Sequence, residues 1–133
     1  MTTQNITYRL LQAEDKNLYR QIRLECLQNA PENFGITYEE ELNKKSLKFD
    51  EALENPNSPN FIFGAFDNFK LIGICGFTQH DRIKTQHQGD ISQLYVDPAY
   101  LRKGIGKTLL RNTINKAFEN KDLEQILLAV MSE

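Results

Sequence analysis

The sequence predicts a mixed α/β domain of order β-αα-βββ-α-β, and three stretches carry that prediction. Residues 61–66, Phe-Ile-Phe-Gly-Ala-Phe, and residues 70–78 are rich in β-branched and aromatic side chains. They flank a turn at Asp67-Asn68 and read as an antiparallel hairpin. Residues 91–110 read as a strand, a short basic loop containing Gly104 and Gly106, and an amphipathic helix. The apolar tract 123–130 follows, and a strand–helix–strand unit implies a right-handed parallel crossover between 89–96 and 123–130. The expected sheet is mostly antiparallel with one parallel pair.

The other elements follow in chain order. Residues 6–11 alternate well enough for a first strand. Glu14 or Asp15 opens a helix to about Ala30, with Leu18, Ile22, Cys26 and Leu27 on one side and Pro31 as its stop. A polar helical tract follows Thr37, a cap with Glu40 three residues later. It frays around 43–46 and resumes through 49–53, and 55–60 is a turn-rich break rather than a domain linker. Gly73 and Gly76 permit a close backbone approach or a bulge. Residues 80–88 are a polar connector. In the last helix Ile105, Leu109, Leu110, Ile114, Ala117 and Phe118 recur at helical spacing.

Composition excludes several function classes. At 133 residues the chain is expected to be one domain, 1–133. A net charge of −2 and a pI near 5.7 argue against general nucleic-acid binding. No apolar run approaches the ~18–20 residues of a membrane span. Residues 1–5 carry no charged and then apolar leader pattern, so a cytoplasmic protein is expected. Cys26 and Cys75 lie singly in apolar settings and read as two reduced, packed thiols, with a disulfide between them as the alternative.

The loop 102–107, Arg-Lys-Gly-Ile-Gly-Lys, carries the functional argument. A helix starting there points unpaired N–H groups and its positive dipole end forward. Glycines let an anion approach that backbone, and flanking cations favour it. Three phosphate cradles compete. Gly106-Lys107-Thr108 matches the tail of a Walker A loop, but that motif needs a glycine where Leu101 stands. A dinucleotide fingerprint would need a third glycine at Leu109. The third pattern is a strand, an acidic-Pro turn (Asp97-Pro98), a Gly-x-Gly loop and a helix. It resembles motif A of the GNAT superfamily of N-acetyltransferases. The family's Gln/Arg position falls on Leu101, with Arg102 and Lys103 after it. Residues 31–41 and 87–96 are also similar to one bacterial branch of that family, and the likeness is strongest over 73–118.

The resemblance implies acetyl-CoA as co-substrate, without a metal, and direct transfer of acetyl to the primary amine of a small molecule or protein. It implies that the two parallel strands splay around the thioester arm. The cofactor contacts would be Leu94, Tyr95, Val96, Arg102, Lys103, Gly104, Ile105, Gly106 and Lys107, with backbone N–H groups near Tyr95 and Val96 serving the oxyanion. Asp90 reads either as a general base or as a solvated carboxylate at a strand start. Tyr95 reads equally as strand packing or as part of the site. Glu39, Glu40 and Glu41 form either a solvated helix face or an attractant for a cationic amine. His80 and His87 lack metal-ligand spacing and could line the acceptor side. Phe34 packs or shapes that pocket. The family continues with a tyrosine-bearing helix and a hairpin, so at Glu133 the domain is expected to be C-terminally incomplete, with a homodimer covering the sheet edge. Two alternatives stay open: a catalytically impaired acyl-CoA-binding domain, and a nucleotide-phosphate binder.

Overall fold

The computed structural model describes residues 6–29, 38–45, 47, 49–55, 57–80, 88–120 and 123–128. The elements are β1 (Ile6–Leu10), α1 (Lys16–Asn29), α2 (Tyr38–Leu42), α3 (Asp50–Glu54), β2 (Phe61–Asp67), β3 (Lys70–Gln79), β4 (Gln88–Val96), α4 (Ile105–Ala117) and β5 (Gln125–Leu128). One sheet runs in the order β1-β2-β3-β4-β5. Its first three pairs are antiparallel, and β4 pairs with β5 in parallel. The mixed sheet expected from the sequence is therefore the observed one. Pro31, Phe34, Thr37, His87 and residues 129–130 of the expected last strand lie outside the described residues.

Helices cover both faces. On the α1–α3 face, Leu11, Tyr19, Ile22, Phe49, Leu53, Ile62, Phe66 and Ile74 form one buried cluster. On the α4 face, Ile72, Cys75, Phe77, Ile91, Ile105, Leu109 and Ala117 form the other. Alternation sends Ile74 and Cys75, adjacent in β3, to opposite clusters, and a register shift in which Ala65 pairs with Gly73 but Phe66 with Leu71 puts Ile72 with Cys75 rather than with Ile74. α1 is launched by a tight polar knot. Asp15 accepts from the Gln12 amide at 2.8 Å and is gripped by Arg9 at 2.8 and 3.1 Å. α4 buries Ile105, Leu109, Thr113 and Ala117, four residues apart, as one stripe. Both cysteines are free and buried, and burial pushes each thiol up to about 11.

Two expectations shift. The hairpin turn is Asn68-Phe69, not Asp67-Asn68, because Asp67 still pairs with Lys70. Asn68 takes the left-handed conformation (φ 56°) that asparagine tolerates. Phe118 does not extend the apolar stripe of α4. The helix ends at Ala117, and Phe118 is 45% exposed. Gly73 and Gly76 do mark close approaches. A Cβ on Gly73 would lie 2.9 Å from Leu109, and one on Gly76 would lie 2.6 Å from the Phe49 ring.

Candidate active site

Strand β4 ends in a clamp. Asp97 caps the short helical turn Pro98–Tyr100 by accepting from the Ala99 amide at 2.9 Å. Tyr100 donates to Asp67 at 2.6 Å, and Lys70 lies 3.9 Å from Asp97, so the turn is tied to the β2–β3 hairpin. The chain then crosses an exposed loop in which Arg102 (φ 66°) and Gly104 (φ 76°) are left-handed. Gly104 is the N-cap of α4. Its carbonyl accepts from both the amide and the hydroxyl of Thr108, at 3.1 and 2.9 Å. The amides of Ile105, Gly106 and Lys107, in the first turn, have no intrahelical carbonyl to meet. A Cβ on Gly104 would meet nothing within 4 Å, so the loop borders open space. One on Gly106 would touch Val96 at 3.5 Å, which places the helix start directly beside the end of β4. Amides, dipole and the cations Arg102, Lys103 and Lys107 share this rim, and the arrangement fits a diphosphate. Leu101, at the family's Gln/Arg position, is 55% exposed.

Just before this loop β4 bulges. Ser92 pairs with Gly76 and Tyr95 with Ile74, so Gln93 and Leu94 together oppose Cys75. Gln93 takes the extra turn (φ 57°), and its side-chain oxygen accepts from buried Tyr19 at 2.8 Å. The bond from the His80 amide to Gln88 O, 3.0 Å, sets the ladder phase on β3. Alternation from there makes Ile74 face β4, so the Tyr95 amide is committed to β3 and the Val96 amide points the other way, toward the β5 side. Of the two amides expected near the oxyanion, that of Tyr95 is committed to β3, whereas that of Val96 is paired on the β5 side to no strand among the described residues. Leu94 sits in the bulge without a partner on β3.

The α1 side of β4 is polar. Asp90 pairs with Thr78 across the ladder, and His80 Nε2 lies 3.1 Å from Asp90 Oδ2. The Thr78 and Ser92 hydroxyls are buried and have no hydrogen-bond partner among the described residues. Further along, Tyr95 donates its hydroxyl proton to Glu25 at 2.9 Å and accepts from Asn29 at 2.9 Å. Desolvation raises the Tyr95 phenol, so it stays a donor at neutral pH. The acidic run on α2 does not act as one face. Glu39 and Glu40 are exposed, whereas Glu41 is buried and paired to Arg23 at 2.6 Å and Lys44 at 3.2 Å. Both readings of Glu41 from the sequence are thus corrected: it ties α2 to α1. Glu25, Asn29, Tyr19 and Gln93 were not singled out from the sequence. The one available signal was the i, i+4 placement of Glu25 and Asn29 on α1. Among the described residues no group of three or more metal-ligating side chains occurs, and no helix is long and apolar enough to cross a membrane.

The fold is thus a five-stranded mixed sheet whose bulged fourth strand opens into an amide-lined loop ahead of a helix. The chain belongs to the acetyltransferase (GNAT) family, whose family model matches residues 17–133. Three solved structures share the fold. An acetyltransferase of the GNAT family from Streptococcus pneumoniae is 22% identical, with a TM-score of 0.74 over 95% of this chain and 74% of that one. A predicted acetyltransferase from Clostridium acetobutylicum, solved with acetyl-CoA, is 21% identical, with a TM-score of 0.71 over 96% and 82%. An aminoglycoside acetyltransferase from an uncultured soil metagenomic sample, in complex with sisomicin, is 23% identical, with a TM-score of 0.65 over 94% and 77%. No curated protein sequence matches the chain.

Proposed function

We propose that this chain is an acetyl-CoA-dependent N-acetyltransferase that moves acetyl onto a primary amine by direct attack. The observation that carries the reading is the rim at 102–107. There left-handed Gly104 aims the first amides of α4 into open space beside Val96. Those amides, with Arg102, Lys103 and Lys107, hold the diphosphate of acetyl-CoA; the Leu94 and Val96 amides take the pantetheine arm and the thioester oxygen. The Clostridium neighbour's acetyl-CoA and the metagenomic enzyme's aminoglycoside support the same assignment of co-substrate and amine.

In the reaction the amine lone pair forms the N–C bond at the thioester carbon. The carbonyl electrons collect on oxygen against the amides, and collapse breaks the C–S bond, with its electron pair leaving on sulfur. Asp90, steadied by His80, takes the proton from nitrogen, and sulfur takes one from solvent. Tyr95 shapes the site through its side chain. The acceptor is a small-molecule or protein amine, and the setting is cytoplasmic. Within this reading 1–133 belongs to one N-acetyltransferase-like domain, and a second copy covers the β5 edge.

The test is a thermal-shift titration followed by a thiol-release assay with an amine panel. Acetyl-CoA should raise Tm, while ATP with Mg²⁺ should do little. No acetyl-CoA shift would refute the reading. A shift without thiol release for any amine would leave only an acyl-CoA-binding domain.

A further inference from the structure

Of the Glu25–Tyr95–Asn29 cluster only Tyr95 has a part in the site so far; Glu25 and Asn29 reach its hydroxyl from α1, beside the bulge of β4. Tyr95 immediately follows bulge residue Leu94, and its hydroxyl ends on Glu25 of α1. Asn29 donates to the same phenol oxygen, which directs the phenol's own proton to Glu25 and holds one carboxylate oxygen in place. Glu25 is half-buried. No cation lies within ion-pair distance of it among the described residues, whereas Asp15, Glu41 and Asp97 are met by Arg9, Arg23 and Lys70. An ionised carboxylate has about four acceptor sites. Here Tyr95 is the described donor, and it is neutral. A partly desolvated, preoriented carboxylate without a counter-charge favours a cationic ligand group.

Resting on the N-acetyltransferase reading, we propose that Glu25 is the docking carboxylate for a second, protonated nitrogen of the acceptor, which makes the acceptor class a diamine or polyamine. The attacking nitrogen must be neutral to offer its lone pair, so it is not the nitrogen held as a cation by Glu25. The attacking nitrogen, the neutral one, meets the thioester at the bulge, with Asp90 on the same face of β4 to take its proton. Tyr95 and Asn29 are positioning residues, acting through the carboxylate. The chain's net charge of −2 assists capture of such a cation.

The test compares α,ω-diaminoalkanes with n-alkylamines of equal carbon number, titrated calorimetrically into the protein saturated with CoA and then assayed with acetyl-CoA. The wild-type chain should bind the best diamine about tenfold or more tighter than its monoamine, the size expected of a charged hydrogen bond. Glu25→Gln, nearly isosteric, should weaken the diamine by a similar factor, with the loss falling mainly on its KM. Tyr95→Phe should give a smaller loss of the same kind. CoA should still raise Tm in both variants, which shows that each is folded and holds the co-substrate. Equal binding of diamines and monoamines by the wild type, or equal weakening of both by Glu25→Gln, overturns the docking role while leaving acetyl transfer intact. Absence of any CoA shift in the wild type overturns the acetyltransferase reading and the docking role with it.

Discussion

Replacing Gly104 with valine separates what the loop needs for folding from what it needs for binding. Gly104 is left-handed at φ 76°, and a Cβ there would meet nothing within 4 Å. In the free protein the substitution therefore costs backbone strain and no clash, about 1–2 kcal/mol. Each kcal/mol moves the midpoint of a domain this size by roughly 3–5 °C, so Tm should fall by roughly 3–10 °C. The valine methyl groups, however, project into the space where the diphosphate would lie. At a hundred times Kd, acetyl-CoA stabilises the wild type by about 2.7 kcal/mol. If the variant's Kd rises about a hundredfold, the same concentration contributes only about 0.4 kcal/mol, a shift of roughly 1–2 °C. Differential scanning fluorimetry with and without acetyl-CoA reads both quantities. A variant with a lowered starting Tm and an undiminished ligand shift would refute the cradle.

Asp90→Asn should lower kcat/KM by about 10²- to 10⁴-fold while keeping the acetyl-CoA shift, and stopped-time thiol release measures it; unchanged turnover would remove Asp90 as base. Phe49→Ala, at a buried ring lying over Gly76, should cost about 3–5 kcal/mol in urea unfolding. Arg9 holds the Asp15 carboxyl below its ordinary value, so the pair's stabilisation is complete above the unfolded carboxylate value near pH 4 and is lost as pH falls through the lower folded one. Arg9→Gln should remove that part of the acid-unfolding curve, and an identical curve would argue against the pair. If a second copy covers the β5 edge, sedimentation should show a dimer at micromolar concentration, and a stable monomer would count against it.

Local features were legible because local sterics dictate them. The period-two runs of β2 and β3, the 3.6-residue stripe of α4 and the Gly-x-Gly loop each follow from backbone demands met within a few residues. The turn slipped by one position because Asp67 and Asn68 are both acceptable turn residues, and only the Asp67–Lys70 pairing decides between them. The acidic run on α2 looked uniform, yet Glu41 alone faces Arg23 of α1. Gln93 gave no bulge signal. Its left-handed backbone comes from two residues opposing Cys75.

By itself the sequence determined the family, the order of strands and helices, and the anion-facing start of α4, since each rests on spacing between near neighbours. Tertiary structure alone decided which polar side chains meet. Tyr95 and Glu25 are 70 residues apart, and Tyr19 and Gln93 are 74 apart. Hydrogen bonds of such short reach can form only once strand pairing and core burial have laid α1 across β4.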